Sequence, residues 1–426
     1  MTLTVIQNAR LIDPASGKDE MGGLLLDGGN IAAIGNFEKP DAAQLIDAQG
    51  NIVCPGLIDL MVATGEPGQE YKETLRSASW AAAAGGVTTM VHMADGPTPV
   101  DNPALVDFIR RRAGETAKVR VLPMATITKE NNGTAMAEMA MNAHTGAVAF
   151  SDGTRPISDS GVLRRALSYA SYVGRPIHLY PEDRSLAGNG VMHEGEMSTR
   201  YGLTGHPAAA ELIGLERDIR LVELTGAPVN LGPISTAAGV EIIAKAKARG
   251  LPITATVCIT NLNLNNLDIG EYRTFFKLKP PLRTEDDRLA LIEGVRDGVI
   301  DCITSNHRPE DPEAKRQPFA QAGWGAIGVE TLLPCLLELV HNGSLDMATA
   351  LKTVTANPAD LLGLAQGRLE IGAPADLTLL DPDVPFVLKP EALQSKSKNT
   401  PYEDRRLQGR AILTMVAGQT VFEYGA

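Results

Sequence analysis

Histidine is scarce in this chain. There are seven in 426 residues (His92, His144, His178, His193, His206, His307 and His341), and none stands in a His-x-His or His-Glu-x-x-His arrangement. A hydrolytic metal centre needs several His, Asp or Glu side chains converging on one ion with a position left open for water. No local motif supplies them. Aromatic residues are only 4% of the chain, so no stacking platform for nucleic-acid bases is evident. A positive balance is missing as well: the net charge of −12 disfavours nucleic acid or an anionic membrane as partner. The four cysteines, Cys54, Cys258, Cys302 and Cys335, are far apart, form no Cys-x-x-Cys pair and each lie in an apolar run. They are expected as small buried thiols in a reducing compartment. No apolar run reaches membrane-spanning length, and the N-terminus has no basic region followed by an apolar core. A cytoplasmic protein is expected.

What is abundant is glycine, 42 residues, together with a regular alternation of β-rich apolar runs and helical patterns. Strands are expected at 52–62, 87–94, 119–128, 147–152, 176–181, 229–235, 253–259 and 300–306. Helical composition fills 71–84, 104–113, 163–173, 207–224, 240–247, 289–296 and 329–340. Eight strands alternating with helices over this length predict an α/β fold, a (β/α)8 TIM-like barrel. A doubly wound sheet also alternates, but no Gly-x-Gly-x-x-Gly follows an early strand. Short β-segments at both chain ends, with a hairpin through Ala417-Gly418, predict a small β-sandwich assembled from 1–54 and 365–426. The barrel is then the insert at 55–364. The polar tract Ser395-Lys-Ser-Lys-Asn-Thr-Pro401 is expected as an exposed loop, and 188–190 and 305–318 as mobile ones.

Function in such a barrel is read at the C-terminal ends of its strands. The run Pro55-Gly-Leu-Ile-Asp59 resembles the first barrel strand of the amidohydrolase superfamily, specifically of the dihydroorotases, and Lys277-Leu-Lys-Pro-Pro-Leu-Arg283 resembles a second signature of that family. Gly325–Pro334, Asn357–Leu364 and Gly367–Asp376 also follow it. The resemblance implies a zinc-dependent hydrolase of cyclic amides in pyrimidine synthesis. It also implies which positions should carry the chemistry. After Asp59 the family has His-x-His, which binds metal, and an Arg that holds a substrate carboxylate; here Met61, Ala63 and Gly65 stand there. At the later strand ends the metal-ligand positions fall on Gly153, Tyr180 and Pro233. A one-residue change of register would return the role of Gly153 to Asp152. The substrate-binding positions fall on Asp95, Lys279 and Glu310, and the base that shuttles the proton becomes Asn306, an amide. His307 is read as structural.

No intact catalytic residue and no cofactor are expected from this pattern. Asp59, Asp152 and His178 are the candidates if any metal binds, with Cys258 a conceivable thiolate; His178 reads equally as a barrel-core histidine. The leading expectation is a dihydroorotase-like protein, catalytically inactive, that belongs to a homo- or hetero-oligomer. The resemblance implies aspartate transcarbamoylase as its partner. The alternative is an active amidohydrolase with a rebuilt or metal-poor site; a small-molecule binding module, with an anion held in the cavity through Lys279 or Arg308, ranks last.

Overall fold

The computed structural model describes residues 3–41 and 43–425. The N-terminal part forms β1 (Thr4–Asp13), β2 (Lys18–Asp27), β3 (Asn30–Gly35), β4 (Gln44–Asp47) and β5 (Ile52–Pro55). The barrel begins with β6 (Leu57–Val62), β7 (Val87–His92), β8 (Arg120–Ala125), β9 (Ala149–Phe150) and β10 (Ile177–Leu179). The two-residue strands β11 (Met192–His193) and β12 (Gly205–His206) pair only with each other. The barrel is completed by β13 (Val229–Ile234), β14 (Ile253–Cys258) and β15 (Cys302–Thr304). β16 (Leu377–Val387), β17 (Arg406–Val416) and β18 (Gln419–Glu423) then return to the first domain.

The small domain is one hydrogen-bonded sheet in the order β18-β17-β16-β5-β1-β2-β3, with β4 added on β1. It is antiparallel except where β1 meets β4 and β5, and Ile6, Leu11, Leu24, Leu26, Val53 and Leu377 form a core of its own. The hairpin β17–β18 turns where expected, with both Ala417 and Gly418 at positive φ. The barrel strands are parallel and run in the order β15-β14-β13-β10-β9-β8-β7-β6. Every residue of β6, β7 and β13 is buried, because helices cover a parallel sheet and its strands read as continuous apolar runs.

The expected strand 52–62 is divided in two at Gly56. The Gly56 N–H donates to the Asp376 carbonyl (2.8 Å), and a Cβ at that position would overlap the Thr88 side chain. The chain therefore passes from sheet to barrel at a residue that needs to be glycine. Nothing in the apolar pattern marks this break.

The backbone ladder between β15 and β6 is carried by His307, three residues beyond the end of β15. The His307 N–H donates to the Met61 carbonyl (3.0 Å), and the Ala63 N–H donates to the His307 carbonyl (2.8 Å).

The tract 395–401 is not an exposed loop. Ser395, Ser397, Asn399 and Thr400 are buried. The Ser395 hydroxyl donates to Glu73, the Lys396 N–H donates to Glu73 (3.1 Å), and the Asn399 amide donates to the Gly325 carbonyl (3.1 Å). Its polar side chains serve groups of the barrel, so the tract is a strap. Segment 305–318, expected as mobile, is likewise fastened: the Glu310 N–H donates to Asn399 (3.1 Å) and the buried Lys315 ammonium donates to the carbonyls of Thr274 and Gly323.

A second tie joins the domains directly. Arg120 of β8 forms a two-pronged pair with Asp376, Nε to Oδ2 at 2.6 Å and Nη2 to Oδ1 at 3.1 Å. The Asp376 carboxylate is buried and also accepts from the Ala417 N–H (2.8 Å). Removing the guanidinium leaves that carboxylate without its counter-charge. Arg120→Ala is expected to destabilise the protein by about 3 kcal/mol. A thermal-unfolding midpoint equal to that of the parent would refute the assignment.

Candidate functional site at the barrel mouth

The candidate ligand positions lie at the C-terminal ends of the barrel strands, but most have joined the core or the frame. Met61 is 1% exposed and belongs to the main hydrophobic cluster with Met93, and Ala63 packs against it. Gly65 has no room for a side chain: a Cβ there would overlap the carbonyl of Gln69. The loop is drawn tight around it, since the Gly65 N–H donates to the Glu73 carbonyl (2.9 Å) and the Gln69 N–H to the Gly65 carbonyl (2.5 Å). Glu66 holds the same loop by accepting from the Leu75 N–H (2.9 Å) and from Arg112 Nε (2.7 Å).

Asp95 and Gly153 share one volume. Gly153 has φ of 64°, and a Cβ on it would overlap the Asp95 carboxylate. That carboxylate accepts from Arg308 Nη2 (2.8 Å) and from the Thr154 N–H (3.1 Å). The acid at 95 thus fills the space vacated at 153 and is paired with an arginine rather than facing an open site.

The retained acids are occupied. Asp59 is fully buried, and its Oδ1 accepts from the Thr304 hydroxyl (2.5 Å) and from the N–H groups of Ser305 (3.2 Å) and Met61 (3.2 Å). Burial pushes its pKa up against these bonds. Asp152 accepts from the N–H groups of Ile127 (2.8 Å) and Thr128 (3.0 Å) and from the Thr128 hydroxyl; burial raises its pKa to about 6. His178 of β10 is buried, and desolvation lowers its pKa to about 4. Cys258 is buried, and its thiol is pushed up by burial and by Asp59, away from a thiolate. Tyr180 is buried too, with burial and the carboxylates of Glu182 and Glu211 pushing its phenol well up. Pro233 offers no donor atom, and Asn306 donates its amide to the Lys279 carbonyl (3.0 Å). Among the described residues, no group of three or more His, Cys, Asp or Glu side chains converges as an ion would require. The set Asp59, Asp152, His178 and Cys258 is therefore not brought together, and the residues present do not fit a zinc centre.

A polar cluster that sequence reasoning missed lies beside these positions. Lys279 Nζ donates to Glu182 Oε1 (2.9 Å) and lies 5.1 Å from the centre of the Tyr180 ring. Glu182 Oε2 is 2.9 Å from His206 Nε2. Arg283 Nη2 approaches His206 Nδ1 (3.3 Å), while Nη1 donates to the His206 carbonyl (2.8 Å). A guanidinium can only donate, so Nδ1 accepts and Nε2 carries the proton toward Glu182. Burial opposes the charge on Glu182, but His206 and Lys279 outweigh it and hold the carboxyl below its usual range. Arg283 Nε also donates to the Ser235 hydroxyl (3.1 Å), which in turn donates to Glu211. The available signal was Arg283 itself, the end of a motif already singled out. Its partners come from 182, 206, 211 and 235, which no spacing rule connects.

Glu310, expected beside substrate, pairs with Lys72 (2.9 Å). Together with Glu182, Lys279 and Arg308 it borders a cavity of about 630 Å³ at the mouth.

Two tests follow from the packing. Gly65→Ala is expected to cost about 3 kcal/mol through overpacking of the closed loop, read as a lowered unfolding midpoint; a neutral result would show that the loop has slack. His92 and His178 are both buried, and desolvation lowers each pKa from 6.5 to about 4. The unfolded chain takes up protons that the folded one refuses, so this stability is complete above about pH 6.5 and is lost as pH falls through 4. Each histidine is expected to contribute about 3 kcal/mol to that loss. His178→Gln should flatten the stability profile between pH 6.5 and 4, and an unchanged slope would count against the assignment.

Comparison with known proteins places this geometry. Residues 50–238 match the family model described as Dihydro-orotase-like, and 340–422 match that of the Amidohydrolase family. The chain is 41% identical over 418 residues to a dihydroorotase of Syntrophotalea carbinolica, covering 98% of each. It is 41% identical over 423 residues to one of Anaeromyxobacter dehalogenans (strain 2CP-C), covering 99% of this chain and 98% of that one. Among solved structures, the L-hydantoinase (dihydropyrimidinase) from Arthrobacter aurescens superposes with a TM-score of 0.91 at 25% identity, over 100% of this chain and 97% of the other. A D-hydantoinase from Thermus sp. shares the fold, with a TM-score of 0.85 at 23% identity over 99% and 96% of the two chains. With relatives this similar over nearly its full length, the chain belongs to the dihydroorotase family of the amidohydrolase superfamily.

Proposed function

We propose that this member of the dihydroorotase family does not hydrolyse dihydroorotate, and that its barrel serves as an assembly partner of aspartate transcarbamoylase. The observation that carries the first half is the filling of the ligand positions. Met61 and Ala63 pack in the apolar core, and Gly65 sits where no side chain fits. Opening a cyclic amide requires a water made nucleophilic and a group that moves its proton. Asn306, in place of the expected base, is an amide that donates to a carbonyl.

The second half rests on family resemblance and on what has been kept. The strap, the domain tie and the backbone bonds of the barrel seam are all made, while the expected ligand positions are filled by other groups. A fold preserved in this way suits a protein whose outer surface is its product, within a hetero-oligomer. This reading needs neither a metal nor an intact substrate pocket.

A second reading draws on one specific observation. Glu182, His206 and Lys279 are titratable, mutually bonded and border the mouth cavity. A rebuilt amidohydrolase would have to work from them. His206 donates from Nε2 to Glu182 and accepts from Arg283 at Nδ1, so its ring has no free nitrogen to activate water, and the first reading is preferred.

The purified protein is expected to carry sub-stoichiometric zinc and manganese and to show no turnover of dihydroorotate in either direction. Added to aspartate transcarbamoylase of the same organism, it should co-elute with it in size-exclusion chromatography. Stoichiometric metal with turnover would overturn the first half; a transcarbamoylase that assembles and works equally well without this chain would overturn the second.

A further inference from the structure

The mouth cavity of about 630 Å³ has a composition that the proposed function leaves unused. Its lining presents five cationic side chains, Arg155, Arg184, Lys277, Lys279 and Arg308. Only two carboxylates, Glu182 and Glu310, oppose them. The chain as a whole has a net charge of −12, so the mouth carries the sign opposite to that of the molecule. A concave patch of one sign with low-dielectric walls concentrates counter-ions.

The two carboxylates do not cancel this excess. Glu182 is shared between Lys279 and His206, and Glu310 is already paired with Lys72 from outside the lining. Arg155 and Arg184 are exposed and make no ion pair among the described residues. Arg308 spends Nη2 on Asp95, yet its Nε is buried without an acceptor. Lys277 Nζ donates to the carbonyls of Ala320 (3.0 Å) and Ala322 (2.8 Å), neutral groups that orient the ammonium without neutralising it. Forked guanidinium donors match the paired oxygens of a carboxylate or a phosphate, and the volume lies within the range of small-molecule sites.

We propose that the barrel mouth binds a small polyanion bearing phosphate or carboxylate groups, held by Arg155, Arg184, Lys279 and Arg308, and releases it unchanged. The inference rests on the preceding reading only for the words "releases it unchanged". Occupancy of the site bridges the segments that carry Arg155 and Arg184 to those that carry Lys279 and Arg308. An anion there would therefore stiffen the mouth.

The test is calorimetric titration of the full-length protein, with inorganic pyrophosphate in one arm and citrate in the other, at low and at physiological salt. Saturable binding of either anion is expected, and the arm that binds identifies the phosphate or the carboxylate chemistry. The rim variant R155E/R184E should weaken it at least about tenfold. The control K18E/K39E, which makes the same charge change at exposed positions of the small domain, should leave it unaltered. Failure of both anions to bind the parent protein overturns the proposal. So does equal binding by R155E/R184E, or an equal loss in K18E/K39E, which would reduce the effect to net charge. Dihydroorotate turnover assayed on the same samples bears on the proposed function alone, so the two ideas can fail separately.

Discussion

The top of this barrel depends on the seam where its last strand meets its first. β15 is only three residues long, and the ladder that should close the barrel is correspondingly short. Closure is taken over by Asp59 and His307. Asp59 of β6 reaches across to the Thr304 hydroxyl and the Ser305 N–H, while the backbone of His307 bonds Met61 and Ala63. The His307 ring is held in turn, because its Nδ1 accepts from the N–H groups of Gly328 (3.2 Å) and Val329 (3.4 Å). That places its Nε2 proton on the side of Glu73, 3.7 Å away. Glu73 is fully buried and also accepts from Ser395 and the Lys396 N–H. Burial opposes its charge, but His307 and the serine hydroxyls hold its pKa below the ordinary value. In a low dielectric such a network is strong where its members are paired, and removing one of them is costly. Seam and strap therefore stand or fall together.

The same device recurs around the rim. Asp152 fastens the turn after β8, and Glu211 gathers the N–H and hydroxyl groups of Ser235 and Thr236 after β13. Strand ends leave backbone groups without partners, and a buried one must find an acceptor or lose its hydrogen-bond energy. A carboxylate satisfies several at once. A metal ligand needs neighbours that converge on the same ion, however: Asp152 has both oxygens engaged, and Asp59, whose Oδ2 is free of partners, stands without a second and third ligand beside it among the described residues. This is why the survival of Asp59 and Asp152 does not amount to a residual metal site.

How much of this could be read from the sequence follows the range of each interaction. The eight barrel strands and the return of the C-terminus to the first sheet show in apolar runs and turn residues, which are local signals. Met61, Ala63, Gly65 and Asn306 were recognisable as substitutions only because a family motif supplied the register. The break at Gly56 was not visible, since what forbids a side chain there is Thr88, thirty-two residues along. The strap is hidden for a related reason: Ser395-Lys-Ser-Lys has the composition of a solvated loop, and its buried partners at Glu73 and Gly325 are remote in sequence. The cluster of Glu182, His206 and Arg283 assembles three segments apart in sequence, so composition carries no trace of it.

The substitutions at the centre also obey a physical constraint of their own. Ligand side chains without their ion would be buried donors and acceptors lacking partners, each costing about 1–3 kcal/mol. Net stabilities are of the order of 5–15 kcal/mol, so several such groups would consume much of the margin. A chain that folded without metal would therefore gain by replacing the whole set, not one member. Met61 offers apolar surface to the core, Tyr180 lends its ring to Lys279, and Gly153 yields its space to the Asp95–Arg308 pair. Each replacement turns a polar vacancy into a contact that depends on its neighbours. Restoring a single ligand would break that contact without completing a site. Gly65, enclosed by the carbonyls of Gln69 and Glu73, has no room for any side chain, so the substrate-holding Arg that the resemblance implies there would require the loop to be rebuilt.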